Sequence, residues 1–323
     1  MILCVAGNPA VDKLFEIESI EAGGIHRPLA FVPRPGGKGL NVACAAGRLG
    51  AEVTVAGLLG GHAGRWIQEA LATEPISASF VWTTAETRSC LSVADRLTRR
   101  LTEFYEDSPP IATRDWDALV AVACEQTKAA RWITVSGTLP PGAPTDGYRP
   151  MIRAARAAGV PVAIDARGGA LAEVLAEGPT LVKINGSEAA EIVGDPVADL
   201  DAALQACMRI RELIGGEGHA VGVTLGELGA VLVEPAGDGY SLTLDAVGAY
   251  PVGCGDAFLA GLVVGLDRGE CWPEAARLAI GAAAANAQAP GVGVLDADRA
   301  RRLAKRARVE PLGRLSASRA AAR

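Results

Sequence analysis

One rhythm constrains this 323-residue chain more than any other feature. Short, continuously apolar runs alternate with Ala-rich stretches of helical pattern. The runs are Ile2–Ala6, Val53–Leu59, Trp132–Val135, Val160–Ile164, Leu181–Ile184 and Val221–Leu225; the helical stretches are Leu40–Leu49, Arg65–Ala72, Trp116–Ala129, Pro150–Ala158 and Ala198–Ile214. A strand that is apolar on both sides must be buried on both sides, and strand–helix–strand repetition supplies the cover. The pattern predicts an α/β fold, a mostly parallel sheet with helices on both faces. Two stretches break the rhythm. Residues Leu14–Val32 and Thr87–Tyr105 alternate apolar and polar without a helix. Alternation predicts strands with one wet face, hence a small antiparallel sheet standing off the main body. Its apolar face needs a ligand, a partner or the main body as cover.

Composition narrows the function classes. Half the residues are hydrophobic, enough for a large core, and the net charge of −6 excludes a nucleic-acid binder that works by overall charge. No uninterrupted apolar run reaches membrane-spanning length; the richest is Ala257–Leu266. Met1–Gly7 lacks a basic start and a cleavage-site pattern, so it is expected as a first strand and not as a signal peptide. Seven scattered cysteines without a C-x-x-C pair suit reduced thiols and a cytoplasmic setting. Three isolated histidines supply no metal cluster. The basic, Ala-rich tail Arg299–Arg323 is expected as a final helix followed by a disordered end.

Four glycine-bearing turns follow strands. The first, Pro35-Gly36-Gly37-Lys38-Gly39-Leu40-Asn41, feeds a helix and sets a cation beside free helix N–H groups, a place for an anion; a plain strand-to-helix turn has the same residues. The second, Pro251-Val252-Gly253-Cys254-Gly255-Asp256, precedes an apolar helix. Its N–H groups form an anion pocket, and Asp256 is either a helix cap or a general base beside it. In the third, Lys183-Ile184-Asn185-Gly186-Ser187-Glu188, the N-x-x-E spacing is a capping box or a water-mediated magnesium–phosphate centre. The fourth, Val223–Ala230, is a hairpin turn or a nucleotide contact. Open α/β sheets bind ligands at the carboxyl ends of their strands, where all four lie.

At this point the chain resembles the ribokinase/PfkB carbohydrate kinase family. The resemblance rests on G-G-K-G-L-N-V-A (Gly36–Ala43), V-S-G-T-L-P-P-G (Val135–Gly142), K-I-N-G-S-E (Lys183–Glu188), T-L-G-E-L-G-A (Thr224–Ala230) and V-G-C-G-D-A (Val252–Ala257), in the family's order over about Met1–Gly293. Asn8–Asp12 (N-P-A-V-D), Thr87-Arg88 and Thr102–Glu106 (T-E-F-Y-E) are similar to the 1-phosphofructokinase and tagatose-6-phosphate kinase branch. The resemblance implies a Rossmann-like domain over residues 1–12, 34–85 and 108–300, a β-lid over 13–33 and 86–107, and a C-terminal basic tail over 301–323. It implies MgATP-dependent phosphorylation of a phosphorylated ketohexose: fructose 1-phosphate, fructose 6-phosphate or tagatose 6-phosphate. A kinase of an unphosphorylated sugar or nucleoside and a non-catalytic sugar-phosphate sensor are the alternatives.

By the same resemblance Asp12, Asn41 and the Gly36-Gly37 backbone would hold sugar hydroxyls, and Lys38, Arg88 and Arg27 the phosphate already on the sugar. Asp256 would be the base, with Gly253, Cys254 and Gly255 as the anion hole. Asn185 and Glu188 would organise Mg²⁺ through water. Lys183, Asn185, Thr224, Gly226, Gly229, Ala283 and Asn286 would line the nucleotide. A homodimer joined through the lids is implied as well, with a small-molecule sugar phosphate as partner and neither nucleic acid nor membrane. Three positions depart from the pattern: Cys254 stands where Ala is usual, Cys90 where Asn is, and Ser108-Pro109 where Gly-Pro is.

Overall fold

The computed structural model describes residues 1–314. In chain order the elements are β1 Ile2–Ala6, β2 Ala10–Ile17, β3 Ala30–Gly36, α1 Lys38–Arg48, β4 Val53–Gly60, α2 Gly61–Leu71, β5 Ser77–Thr83, β6 Ser89–Asp95 and β7 Arg100–Tyr105. There follow α3 Thr113–Thr127, β8 Trp132–Ser136, α4 Arg149–Ala157, β9 Val162–Asp165, α5 Gly168–Leu175, β10 Leu181–Asn185, α6 Gly186–Val193 and α7 Leu200–Leu213. The chain closes with β11 Ala220–Thr224, β12 Ala230–Val233, β13 Asp238–Thr243, α8 Cys254–Asp267, α9 Trp272–Ala287, α10 Ala297–Ala304 and β14 Arg308–Arg314.

Ten strands form the main sheet, in the order β14-β13-β12-β11-β10-β9-β8-β1-β4-β5. Every neighbouring pair from β5 to β11 is parallel; the pairs beyond β11 are antiparallel. The continuously apolar strands are buried on both faces, as expected. Along β1, Ile2, Cys4 and Ala6 enter one core with α1, α8 and α9, while Leu3 and Val5 enter the other with α3, α4 and α7. Helix α8 is apolar all round because it is wrapped all round: it runs between the sheet and α9, and every residue from Asp256 to Gly265 is buried.

The two alternating stretches pair as a second, four-stranded sheet in the order β3-β2-β6-β7. It was expected to be antiparallel. It is mixed: β2–β3 and β6–β7 are antiparallel hairpins, but β2 and β6 join in parallel. The cause is chain path. Between the hairpins the chain returns to the main sheet for α1, β4, α2 and β5, so both hairpins start from the same side. The tail expectation is also corrected. After α10 the chain forms β14 on the open edge of β13, where backbone groups find ladder partners. Residues 315–323, where a disordered end was expected, lie outside the described residues.

Candidate active site

The carboxyl ends of the parallel strands, the α8 loop and one face of the small sheet enclose a cleft of about 650 Å³. Its floor is a cluster of charges. Lys38, the first residue of α1, puts Nζ 2.6 Å from Asp165 Oδ1 and 3.1 Å from Glu188 Oε1. Lys183, buried on β10, puts its Nζ 2.7 Å from Asp165 Oδ2. Burial alone would raise the Asp165 carboxyl, but the two ammonium groups outweigh it and hold it below the usual carboxylate range. Burial would likewise depress Lys38, yet Asp165, Glu188 and Asp256 keep it above the ordinary lysine value.

One turn along α1, Asn41 donates from Nδ2 to Asp256 Oδ2 at 2.8 Å. Asp256 lies in the first turn of α8, only 6% exposed. Burial first, and the Asp165 charge second, push its carboxyl up to about 7, against the pull of Lys38, Lys183 and the Asn41 hydrogen bond. A carboxyl poised near neutrality can accept a hydroxyl proton at physiological pH.

The loop before α8 is a tight turn. Gly253 takes a left-handed conformation, φ 77° and ψ 0°, which a side chain would strain, and a Cβ there would lie 2.5 Å from Val292 Cγ1. The turn closes through Cys254 N–H to the Pro251 carbonyl at 3.2 Å. Of the three N–H groups expected to face an anion, that of Cys254 is therefore engaged within the protein. The Cys254 N–H is committed to the turn, whereas those of Gly255 and Asp256 make no hydrogen bond within the described residues. A Cβ on Gly255 would start 2.6 Å from Lys183 Nζ, so the ammonium packs directly against this glycine.

Toward the small sheet, Gly36 packs on Asp12 so closely that a Cβ would fall 2.0 Å from Oδ2, and Gly37 N–H donates to that oxygen at 3.4 Å. Burial pushes Asp12 up to about 6; Gly37 and Arg88 oppose it. Arg88 is held by Nε to Asn8 Oδ1 at 3.2 Å and by Nη1 to Cys90 Sγ at 3.3 Å. Asn8 in turn donates to Ser108 Oγ at 2.7 Å and Thr138 Oγ1 at 3.1 Å, so four segments of chain fix one guanidinium.

Of the residues singled out in the sequence, Asp12, Gly37, Lys38, Asn41, Arg88, Lys183, Asn185, Thr224, Gly226, Gly229, Gly253, Cys254, Gly255, Asp256 and Ala283 all line the cleft. Four do not. Gly36 lies behind Asp12. Arg27 is exposed on the β2–β3 connection. Asn286 is fully buried behind the α8 loop, where its Nδ2 donates to the Val252 carbonyl at 2.9 Å. Glu188 completes a capping box with Asn185 and reaches Lys38. Lys38, expected at the acceptor's phosphate, is ion-paired with Asp165 and Glu188 at the cleft floor. Asp165 was missed altogether; its one sequence signal is a lone acidic residue ending an apolar strand. Glu103, Tyr105 and Arg167 also line the cleft without having been assigned.

Among the described residues no group of three His, Cys, Asp or Glu side chains is placed to hold a metal ion. Both oxygens of Glu188 are engaged, one by Lys38 and one by the Asn185 N–H. The donor set fits a hydrated magnesium carried by nucleotide phosphates and not a protein-caged ion.

Residues 6–298 match the pfkB family of carbohydrate kinases. A tagatose-6-phosphate kinase of Staphylococcus epidermidis is 29% identical over 269 residues, covering 82% of this chain and 85% of that protein. Phosphofructokinase-2 of Escherichia coli, solved with substrates and products, superposes with a TM-score of 0.87 at 26% identity, over 94% of this chain and 98% of that one; its tetrameric inhibited form gives 0.84. A possible 1-phosphofructokinase of Thermotoga maritima shares the fold, TM-score 0.84 at 22% identity, covering 97% and 99% of the two chains.

Proposed function

The chain belongs to the pfkB family of carbohydrate kinases, and from that premise we propose that it transfers the γ-phosphoryl group of ATP to a hydroxyl of a phosphorylated ketohexose. The observation that carries the reading is the buried Asp256, bonded to Asn41 and set beside free N–H donors near Lys183. Asp256 takes the proton of the attacking hydroxyl. The N–H groups of Gly255 and Asp256, with Lys183 against Gly255, face the negative charge that spreads over the transferring phosphoryl oxygens. Asp165 is no second base, because an ammonium group occupies each of its oxygens and lowers its proton affinity. Asp12 and Asn41 orient the acceptor, and Arg88, preset by Asn8, clamps the phosphate it already carries. Thr224, Gly226, Gly229 and Ala283 form the nucleotide's side of the cleft. Magnesium, when bound with the nucleotide, would neutralise phosphate charge, with Asn185 and Glu188 meeting its water shell.

The outer face of the small sheet bears Phe15, Phe31 and Phe104, with Phe31 and Phe104 more than half exposed. A second copy of this chain covers it in our reading: the face is apolar, and one structural relative is described as tetrameric.

The test is ADP release with fructose 1-phosphate, fructose 6-phosphate, tagatose 6-phosphate and the unphosphorylated sugars. Turnover should require the phosphorylated acceptors. Arg88→Ala should lower kcat/KM about ten- to a hundredfold on them, the worth of one charge-assisted contact, and spare the unphosphorylated ones. Faster turnover of an unphosphorylated sugar overturns the substrate class.

A further inference from the structure

The motif Thr102–Glu106 points at the cleft with two side chains that the reaction above leaves unused. Glu103 and Tyr105 share one face of β7, and both line the cleft. Register fixes their neighbours. Ser92 lies opposite Glu103, Cys90 opposite Tyr105, and Asp12 opposite Cys90, so Asp12, Cys90 and Tyr105 form one row across the sheet with Glu103 beside it. Tyr105 donates from its hydroxyl to Glu103 Oε1 at 2.6 Å, and Ser92 Oγ approaches the same oxygen at 3.4 Å. Oε2 makes no hydrogen bond within the described residues. One oxygen is thus tethered and the other is presented, an acceptor fixed before any ligand arrives.

We infer that Glu103 is a specificity-determining residue, whose free oxygen accepts a hydroxyl hydrogen of the acceptor sugar at a point that Asp12 does not reach. The inference rests on the sugar-phosphate kinase reading. The charge layout supports it. A hydroxyl can donate to a carboxylate, whereas a phosphate is repelled by one, so Glu103 turns the acceptor's phosphate away toward Arg88. Glu103 is also among the groups that disfavour ionisation of Asp12, so a ligand that brings donors between them favours the ionised Asp12. Fructose 6-phosphate and tagatose 6-phosphate differ only in the configuration of one hydroxyl-bearing carbon. A fixed, charged acceptor is a device for telling such a pair apart, because the wrong epimer leaves it unpaired.

The experiment compares kcat/KM on fructose 1-phosphate, fructose 6-phosphate and tagatose 6-phosphate for wild type, Glu103→Gln and Tyr105→Phe. Glu103→Gln keeps the shape and removes the charge. It should cost about ten- to a hundredfold on the preferred acceptor, mainly in acceptor KM, and should narrow the ratio between the epimers. Tyr105→Phe frees the tethered oxygen and should act in the same direction by about two- to tenfold. KM for ATP and the Tm should stay at wild-type values in both. Equal losses on all three acceptors, or a loss confined to kcat, would reduce Glu103 to a support of the small sheet and overturn the inference. An active wild type with an unresponsive Glu103→Gln overturns this inference alone; a wild type inactive on all three overturns the kinase reading and the inference with it.

Discussion

Asp256 is where stability and activity oppose each other. Burial and Asp165 raise its carboxyl to about 7, so the folded protein binds a proton there that the unfolded chain, with an ordinary aspartate, releases at lower pH. Between about pH 4 and 7 the native state therefore holds more protons, and stability falls as pH rises through that window. Catalysis runs the other way, since the base must be ionised: kcat should climb with pH along a limb centred near 7. Asp256→Asn removes both effects. Turnover should drop at least ~10²-fold, the scale of a lost general base, with ATP still bound. The variant should also melt above wild type at pH 8, and the gap should close as pH approaches 4. Thermal melts across that range, beside a pH–rate profile, check both halves. Near-normal turnover would remove Asp256 from the base role. The residue types of this site were legible through the resemblance of its glycine-bearing turns to the family's motifs in the family's order, since each turn alone also fits a cap or a plain turn. Their partners were not. Lys38 and Lys183 meet on Asp165 across separations of 127 and 18 residues, which no local pattern encodes.

Elements were legible in proportion to their burial. Strands β1, β4, β8, β10 and β11 are buried along nearly their whole length and were placed to within a residue. Strands β5 and β14 sit at sheet edges with mixed exposure; β14 carries Pro311, Gly313 and three charges, a composition that edges tolerate and that imitates a loop. Its contribution can be measured. Val309 and Leu312 each pack on a different core, so ending the chain at Ala307 removes apolar burial on both faces, about 2 kcal/mol together. The expected result is a Tm lower by several degrees, with turnover retained at 25 °C. An unchanged Tm would mean that β14 merely rests on β13. Helix α9 makes the opposite prediction. Asn286 hangs the α8 loop through the Val252 carbonyl, so Asn286→Ala should lower kcat and Tm while leaving KM for ATP nearly unchanged. A rise in KM for ATP with kcat intact would return Asn286 to the nucleotide.

Across the whole molecule, the main sheet and its helices bring Lys38, Lys183 and Asp256 to the cleft, and the small sheet brings Asp12, Arg88 and the outer apolar face. If two copies meet on that face, Phe104→Glu sets an uncompensated charge in the contact without touching the cleft. Light scattering should then report a fall from dimer to monomer mass; a wild type that is monomeric at micromolar concentration contradicts the contact. The parallel joint between β2 and β6 has a consequence for anyone wishing to rebuild the enzyme. The half proposed to hold the sugar is no cassette. It is spliced from two separate inserts, one carrying Asp12 and the other Arg88, that become a single plate only after α1, β4, α2 and β5 have been laid down between them. A transplant of acceptor preference must exchange both inserts with their shared seam. A chimera that swaps one hairpin would mismatch the ladder at the seam that sets Asp12 and Arg88 side by side.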